Sequence, residues 1–276
     1  MSKVLCPVDF SEASLNAVEY AANIAAKMKY SLHLVNVFTE DEFNKVVNSV
    51  RLNKSFKEAF GEAKVKLDAI CKEVNNNYKS QGLVNCENEV SLGELEDVLL
   101  DQSKESEVQV IVMGTTGVGK STWIGSNTSH MVLKCTKPLF CIPIKASYTG
   151  FEKIVYATDI DESDKIIIQD VVSFALTFNS RIYALHLYSK LDKLEEMEIN
   201  VFFDELKSFI PYKKISFESI KYDGELSHSL IKYMQDKGCS LLAIYSKNRG
   251  ALESLFHKSL AKELSVISNQ PLMILK

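Results

Sequence analysis

The sequence predicts an α/β chain: two Rossmann-like domains in tandem, each an open, mostly parallel five-stranded sheet with helices on both faces. Two observations predict it. Short apolar runs alternate with stretches of helical periodicity, the pattern of a parallel sheet wound by right-handed crossovers. The chain also repeats itself. Lys3-Val-Leu-Cys-Pro-Val-Asp9 aligns with Lys153-Ile-Val-Tyr-Ala-Thr-Asp159, and Ser31–Val37 with Arg181–Leu187, both at an offset of 150. Gly93-Glu-Leu95 falls on Gly224-Glu-Leu226 at offset 131, and Lys137-Pro-Leu139 on Gln270-Pro-Leu272 at offset 133. The shrinking offset puts an extra segment in the first half, between its second and third strands. The halves meet in the polar stretch 145–150, giving domains of 1–146 and 151–276.

In the first half, Val4–Val8 is a short apolar run suited to a strand covered on both faces. Ser11 is the expected N-cap of the next helix, with Leu15, Val18, Ala22 and Ala25 on one face. Leu32–Phe38 reads as the second strand. Helical periodicity then runs from about Asp41 to Tyr78, and Gly82 marks its end. A third strand at Val84–Val90, a helix at Glu94–Ser103 and a fourth strand at Val108–Met113 follow. Ser126–Cys135 is the next helix, and Leu139–Ile144 closes the half.

Composition narrows the function classes. Hydrophobic residues are 46% and charged residues 25% of the 276, enough for sizeable cores. Lys plus Arg number 32 against 36 Asp plus Glu, so the basic excess of a nucleic-acid or anionic-membrane surface is missing. The N-terminal segment does not read as a signal peptide, and no apolar run approaches membrane-helix length. A cytoplasmic location is expected. The six cysteines form no CxxC and read as small buried thiols. The five histidines show no metal-ligand spacing.

The chemistry concentrates after the fourth strand, in Met113-Gly-Thr-Thr-Gly-Val-Gly-Lys-Ser-Thr-Trp-Ile-Gly-Ser-Asn-Thr128. Glycines let backbone N–H groups approach an anion, and a helix N-terminus after them adds a favourable dipole. Taken literally, Gly114–Ser121 satisfies GxxxxGK[ST], which would make a P-loop-like ATPase with Lys120 on the terminal phosphates and Ser121 on magnesium. Context argues against that reading. The loop follows the fourth strand rather than the first, Gly125-Ser-Asn127 interrupts any helix begun at Lys120, and the next Asp downstream is Asp159.

Together with the first strand's Pro7-Val8-Asp9, this segment resembles the universal stress protein family. Its nucleotide-binding members carry Gly, two residues, Gly, nine residues, Gly-Ser/Thr; here Gly114, Gly117 and Gly125-Ser126 match in order, with seven residues, Val118–Ile124, in the second gap. The resemblance spans nearly the whole chain and is to the tandem members. It implies an adenine nucleotide alpha hydrolase-like fold, with ATP or another adenine nucleotide, with or without magnesium, at the carboxyl end of the sheet. Asp9 and backbone groups of Pro7, Val8 and Val37 would hold adenine and ribose. Gly114, Thr115, Gly117, Lys120, Gly125, Ser126 and Asn127 would surround the phosphates, which amides and hydroxyls can bind without a catalytic base. Asp9 could instead cap the following helix.

In the second half the loop positions carry Ser246, Arg249 and Lys258 in place of Gly114, Gly117 and Gly125, so triphosphate binding is expected in the first half alone. The resemblance also implies intrachain pairing of the halves through their last strands as a pseudo-two-fold dimer, with a homodimer of whole chains an open option. The expected function is a stress-response or regulatory nucleotide binder with slow hydrolysis at most; the alternatives are the P-loop-like ATPase and a scaffold that binds no nucleotide. Lys120 either neutralises phosphate charge in the shortened loop or is a solvated lysine. Titrating ATP into the Lys120→Ala variant separates these: weakened affinity is the outcome for a phosphate contact, and unchanged affinity leaves only the solvated lysine.

Overall fold

The computed structural model describes residues 1–39, 56–115, 126–224, 226–245 and 270–276. They form two compact units, Met1–Ile144 and Lys145–Lys276. The first contains β1 (Lys3–Pro7), α1 (Glu12–Met28), β2 (Ser31–Phe38), α2 (Phe56–Tyr78), β3 (Cys86–Leu92), α3 (Leu95–Ser103), β4 (Val108–Gly114), α4 (Ser126–Lys134) and β5 (Leu139–Ile142). Its strands are all parallel in the order β3-β2-β1-β4-β5. The order reverses direction between β1 and β4. With right-handed crossovers, α1 and α2 lie on one face and α3 and α4 on the other, in agreement with the contacts α1 makes to α2 and α3 makes to α4.

The second unit repeats the plan with β6 (Lys153–Ala157), α5 (Asp164–Phe178), β7 (Arg181–Tyr188), α6 (Lys193–Phe209), β8 (Ile215–Lys221), α7 (Leu226–Lys237), β9 (Leu241–Tyr245) and β10 (Leu272–Leu275). Its parallel order is β8-β7-β6-β9-β10. The open α/β sheets that sequence periodicity predicts are present in both halves.

Local chemistry sets the element ends. Ser11 caps α1 by accepting from Ser14 N, and Lys29, at φ 58°, ends it by donating to Ala25 and Ala26 carbonyls. Ala17, Val18, Ala21, Ala22, Ile24 and Ala25 bury its inner face, but Leu15 is 44% exposed, contrary to its place on the predicted stripe. Ala13 and Ser14 of the same turn are buried, and Leu15 instead falls with Glu12 and Glu19 on the outward side of the helix. After α2 and a short 3-10 turn, Gly82 takes φ 114°, and a Cβ there would stand 2.6 Å from the Ala26 carbonyl oxygen. The third strand begins at Cys86 rather than Val84, because Leu83 and Val84 amides go to Tyr78 and Tyr30 carbonyls before the ladder starts. The part of the long helical stretch between Asp41 and Ser55 lies outside the described residues.

A buried polar knot marks the start of α5. The Asp164 carboxylate, 3% exposed, accepts from Tyr156 Oη, Thr158 Oγ1 at 2.8 Å and Asp161 N at 2.9 Å. Burial and the adjacent carboxylate push the Tyr156 phenol far above its ordinary range, so it stays a donor. At the position 150 residues earlier stands Ser14, whose hydroxyl turns back to the Ser11 carbonyl at 3.0 Å. Asp164→Ala leaves two hydroxyls and an amide without their acceptor, and the expected loss is about 3 kcal/mol of unfolding free energy, to be measured by urea denaturation.

Candidate functional site

The point where an open parallel sheet reverses its strand order leaves a crevice at the carboxyl ends, because the flanking helices depart to opposite faces. In the first unit that point lies between β1 and β4, with β2 on the other side of β1. The topology therefore brings Pro7, Val8 and Asp9 at the end of β1, Val37 near the end of β2, and Gly114 and Thr115 at the end of β4 to one rim. Gly117, Lys120 and Gly125 lie outside the described residues. Ser126 and Asn127 form the first turn of α4, and their side chains also lie outside the description.

The strand end of β1 is built to leave backbone groups bare. Val8 N still donates to Val35 O at 2.8 Å, the last rung between β1 and β2. Continuing the parallel ladder would require Val37 N to donate to Val8 O and Phe10 N to Val37 O. Neither rung forms. Phe10 adopts φ 62°, a left-handed conformation rare outside glycine, and turns the chain away, with Lys66 of α2 over its ring at 5.2 Å. Asn36 Nδ2 takes the Val8 carbonyl instead, at 2.7 Å. Phe38 O is engaged on the β3 side by Gly93 N at 2.9 Å, so by alternation the N–H and C=O of Val37 face the β1 side, beyond that strand's end.

Asn36 is only 6% exposed, and its Oδ1 has no hydrogen-bond partner. A buried amide oxygen left bare is costly, and this one offers an acceptor at the rim. Sequence reading missed Asn36 because a single polar residue in Leu34-Val-Asn-Val37 looks like ordinary strand alternation. Its signal is the repeat: the position 150 residues later is His186, the other polar side chain placed one residue before the strand's bare rung. His186 Nδ1 donates to Thr158 O at 3.0 Å, Thr158 N donates to Leu185 O at 3.0 Å, and Ile160 takes φ 62°. Both units thus end their first strand in the same way.

Asp9 is exposed, and its Oδ1 accepts from Ser11 N at 3.0 Å and from Ser11 Oγ. The cap of α1 is Ser11, and Asp9 braces that cap from outside. Pro7 and Val8 are buried, while Val37 is half-buried. Gly114 has a packing reason to be glycine. A Cβ there would stand 2.7 Å from Ala13 O, 2.8 Å from Ala13 C and 3.1 Å from Ser14 N, all backbone of the first turn of α1. Thr115, 1% exposed, donates its N–H to Ile142 O at 3.0 Å, so its amide is committed to the sheet. Thr128, 3% exposed, ties α4 to β4 by donating from Oγ1 to Gly114 O at 3.1 Å. Asn16 Nδ2 holds the Pro143 carbonyl at 2.8 Å, fixing α1 against the end of β5.

These groups suit a ligand with a flat hydrogen-bonding edge and hydroxyls: one N–H and one C=O from the same strand residue, a bare amide oxygen, and an exposed carboxylate. An adenine nucleoside fits that donor and acceptor set. Among the described residues, no group of three or more His, Cys, Asp or Glu is arranged to hold a metal ion, and no helix is long and apolar enough to cross a membrane. In the second unit, Asp159 is exposed at the matching rim, and the loop positions Ser246, Arg249, His257, Lys258 and Ser259 lie outside the described residues.

The model of the Universal stress protein family matches residues 1–143. The chain is similar to the universal stress protein MJ0577 of Methanocaldococcus jannaschii, 27% identical over 157 residues that cover 52% of this chain and 96% of the relative. Among solved structures, a universal stress protein from Archaeoglobus fulgidus DSM 4304 covers 99% of this chain and 96% of its own, with a TM-score of 0.72 at 14% identity, a likeness of fold. A universal stress protein solved in complex with cAMP covers 51% of this chain and 96% of its own at 20% identity, with a TM-score of 0.38.

The contact between Gly114 and the start of α1 gives a direct prediction. Gly114→Ala forces strand and helix apart at the rim, and the expected cost is about 1–3 kcal/mol of stability, read from chemical denaturation of the variant beside the parent.

Proposed function

Because the chain belongs to the universal stress protein family, we propose that its first unit binds ATP or another adenine nucleotide at the carboxyl rim of β2, β1 and β4. In this reading the chain serves a stress-response or regulatory role without efficient catalysis. The observation that carries it is the bare rung of Val37, left open because Asn36 Nδ2 has taken the Val8 carbonyl. The N–H and C=O of one strand residue point to the same side, spaced as a donor and acceptor pair. The Watson–Crick edge of adenine presents a ring-nitrogen acceptor beside an amino donor, which complements that pair. The Asp9 carboxylate accepts ribose hydroxyls, with Ser11 holding its orientation. Phosphates then run toward the loop after β4, where Gly117, Lys120, Gly125, Ser126 and Asn127 supply amides, hydroxyls and one positive charge; a magnesium ion, when present, adds to that charge. Gly114 and Thr115 contribute by setting the loop's point of departure.

The second unit is proposed to bind no triphosphate, since its loop replaces the three glycines with side chains. Its role is as a partner for the first through the closing strands, whose sequences, Leu139–Ile142 and Leu272–Leu275, are apolar throughout and would aggregate as bare edges. Homodimers of the whole chain and a cytoplasmic location belong to the same proposal.

The test is to denature the purified chain, assay released nucleotide, titrate ATP into nucleotide-free protein and follow turnover with magnesium ATP. Bound adenine nucleotide with negligible turnover is expected. Asp9→Ala should weaken affinity about tenfold, roughly 1.4 kcal/mol, the value of one charge-assisted hydrogen bond. No released nucleotide and no measurable affinity would leave a scaffold, and rapid turnover that depends on Lys120 would replace the proposal with a P-loop-like ATPase.

A further inference from the structure

All six cysteines are buried and unbridged, yet two of them meet. The sulfurs of Cys71 on α2 and Cys86 at the start of β3 stand 2.9 Å apart, and each residue is 5% exposed. The meeting is held from both sides. β3 is the edge of its unit's sheet, and the backbone of Cys86 faces outward from it, since the preceding residue, Asn85, gives its carbonyl to Leu32 N on β2. Asn75, one turn beyond Cys71 on the same face of α2, occupies that open edge. Its Nδ2 donates to Cys86 O at 3.1 Å and its Oδ1 accepts from Cys86 N at 2.9 Å. A charged cluster closes the other end: Lys64 Nζ donates to Asp68 Oδ1 at 2.9 Å and to Asn88 Oδ1 at 2.6 Å, and Asn88 Nδ2 donates to Asp68 Oδ1 at 3.0 Å.

The two sulfurs are chemically unlike. The Cys71 thiol is drawn below its ordinary range, first by the hydrogen bond with Cys86 and further by Asn88 and Lys64, against the opposing effects of burial and Asp68. The Cys86 thiol is driven far up, by its hydrogen bond with Cys71 and by burial. One sulfur is thus placed to be the thiolate and the other to keep its proton until a leaving group needs it. Burial pushes Cys239 up to about 11, against the opposing pull of Lys153 and Lys237, and pushes Cys6 higher still.

We propose that Cys71 and Cys86 are a dithiol–disulfide couple, oxidised by small hydroperoxides, that fastens α2 covalently to the edge strand β3. In the first step the Cys71 thiolate attacks a peroxide oxygen; the S–O bond forms, the O–O bond breaks, and the leaving oxygen departs as water or an alcohol after taking a proton from solvent. Cys71 is then a sulfenic acid. In the second step the Cys86 sulfur attacks the Cys71 sulfur, the S–S bond forms, the S–O bond breaks, and the hydroxide leaves as water with the Cys86 proton. Two thiols lose two electrons and two protons, and the hydroperoxide is the oxidant consumed. The approach required is short, from 2.9 Å to the ~2.05 Å of a disulfide. Cys86 pairs with Leu32 at the start of β2, whereas Val37 pairs with Ser91 at the other end, so the couple sits away from the proposed nucleotide rim and stands independently of it.

The experiment uses the full chain, reduced, desalted, treated with graded hydrogen peroxide, then alkylated in denaturant, digested and read by mass spectrometry. Before oxidation all six thiols alkylate. After it, four are expected to alkylate, with the peptides of Cys71 and Cys86 joined and released again by dithiothreitol. In Cys86→Ser a sulfenic acid should be trapped on Cys71 by a dimedone-type reagent. In Cys71→Ser, oxidation of Cys86 should slow at least tenfold. Cys71 and Cys86 remaining alkylatable while other thiols oxidise would overturn the proposal, as would a bridge between any other pair. The map of the parent protein decides the matter even where a variant folds poorly.

Discussion

The close approach of the end of β4 to the first turn of α1 is the constraint on which the first unit's rim depends. At Gly114 the strand passes so near the backbone of Ala13 and Ser14 that no β-carbon fits between them. That contact keeps β4 beside β1 up to the point where their helices part, and the parting creates the crevice. Thr128 and Asn16 extend the same clamp: one ties α4 to the Gly114 carbonyl, the other ties α1 to the Pro143 carbonyl. The described part of the rim is therefore braced by backbone and short polar side chains.

A second device acts at the end of β1. A parallel ladder would normally continue until one strand runs out of length. Here it is stopped by two substitutions of partner: a left-handed residue turns the chain, and a side-chain amide takes the carbonyl that the next rung needed. The second unit uses His186 and Ile160 for the same purpose. Duplication has thus kept the strand-end architecture in both copies. What distinguishes the copies near the rim is chemistry: the second unit fills the start of its first helix with the Tyr156–Thr158–Asp164 knot, while the first places Ser14 there.

The alternation of strands and helices was legible because each element carries its own periodicity, and the repeat was legible because strand ends keep their residues. Asp9 stood out because Asp159 repeats it, and Pro7, Val8 and Gly114 through the family resemblance of the first strand's end and the glycine-rich segment. The physical role of Gly114 was less visible: in the sequence it is one glycine of a loop, and only the packing of β4 against α1 reveals why a side chain is excluded. Asn36 escaped notice because strand patterns carry scattered polar residues, and its importance lies in a rung that does not form. Leu15 misled because its apolar character suggested the covered stripe, while its angular position places it with the exposed Glu12 and Glu19. The meeting of Cys71 and Cys86 was beyond reach of spacing alone, since it depends on how α2 lies across an edge strand and on where Asn75 anchors it.

The central claim is that a bare strand rung and a braced carboxylate select an adenine nucleotide in the first copy, and that only this copy supplies room for phosphates. A crystal structure of the chain grown with saturating ATP measures this most directly. The account predicts one nucleotide per chain, its base edge on the backbone of Val37, its ribose at Asp9 and its phosphates over the loop that follows β4. A nucleotide seated in the second unit, or a base bound away from Val37, would contradict it.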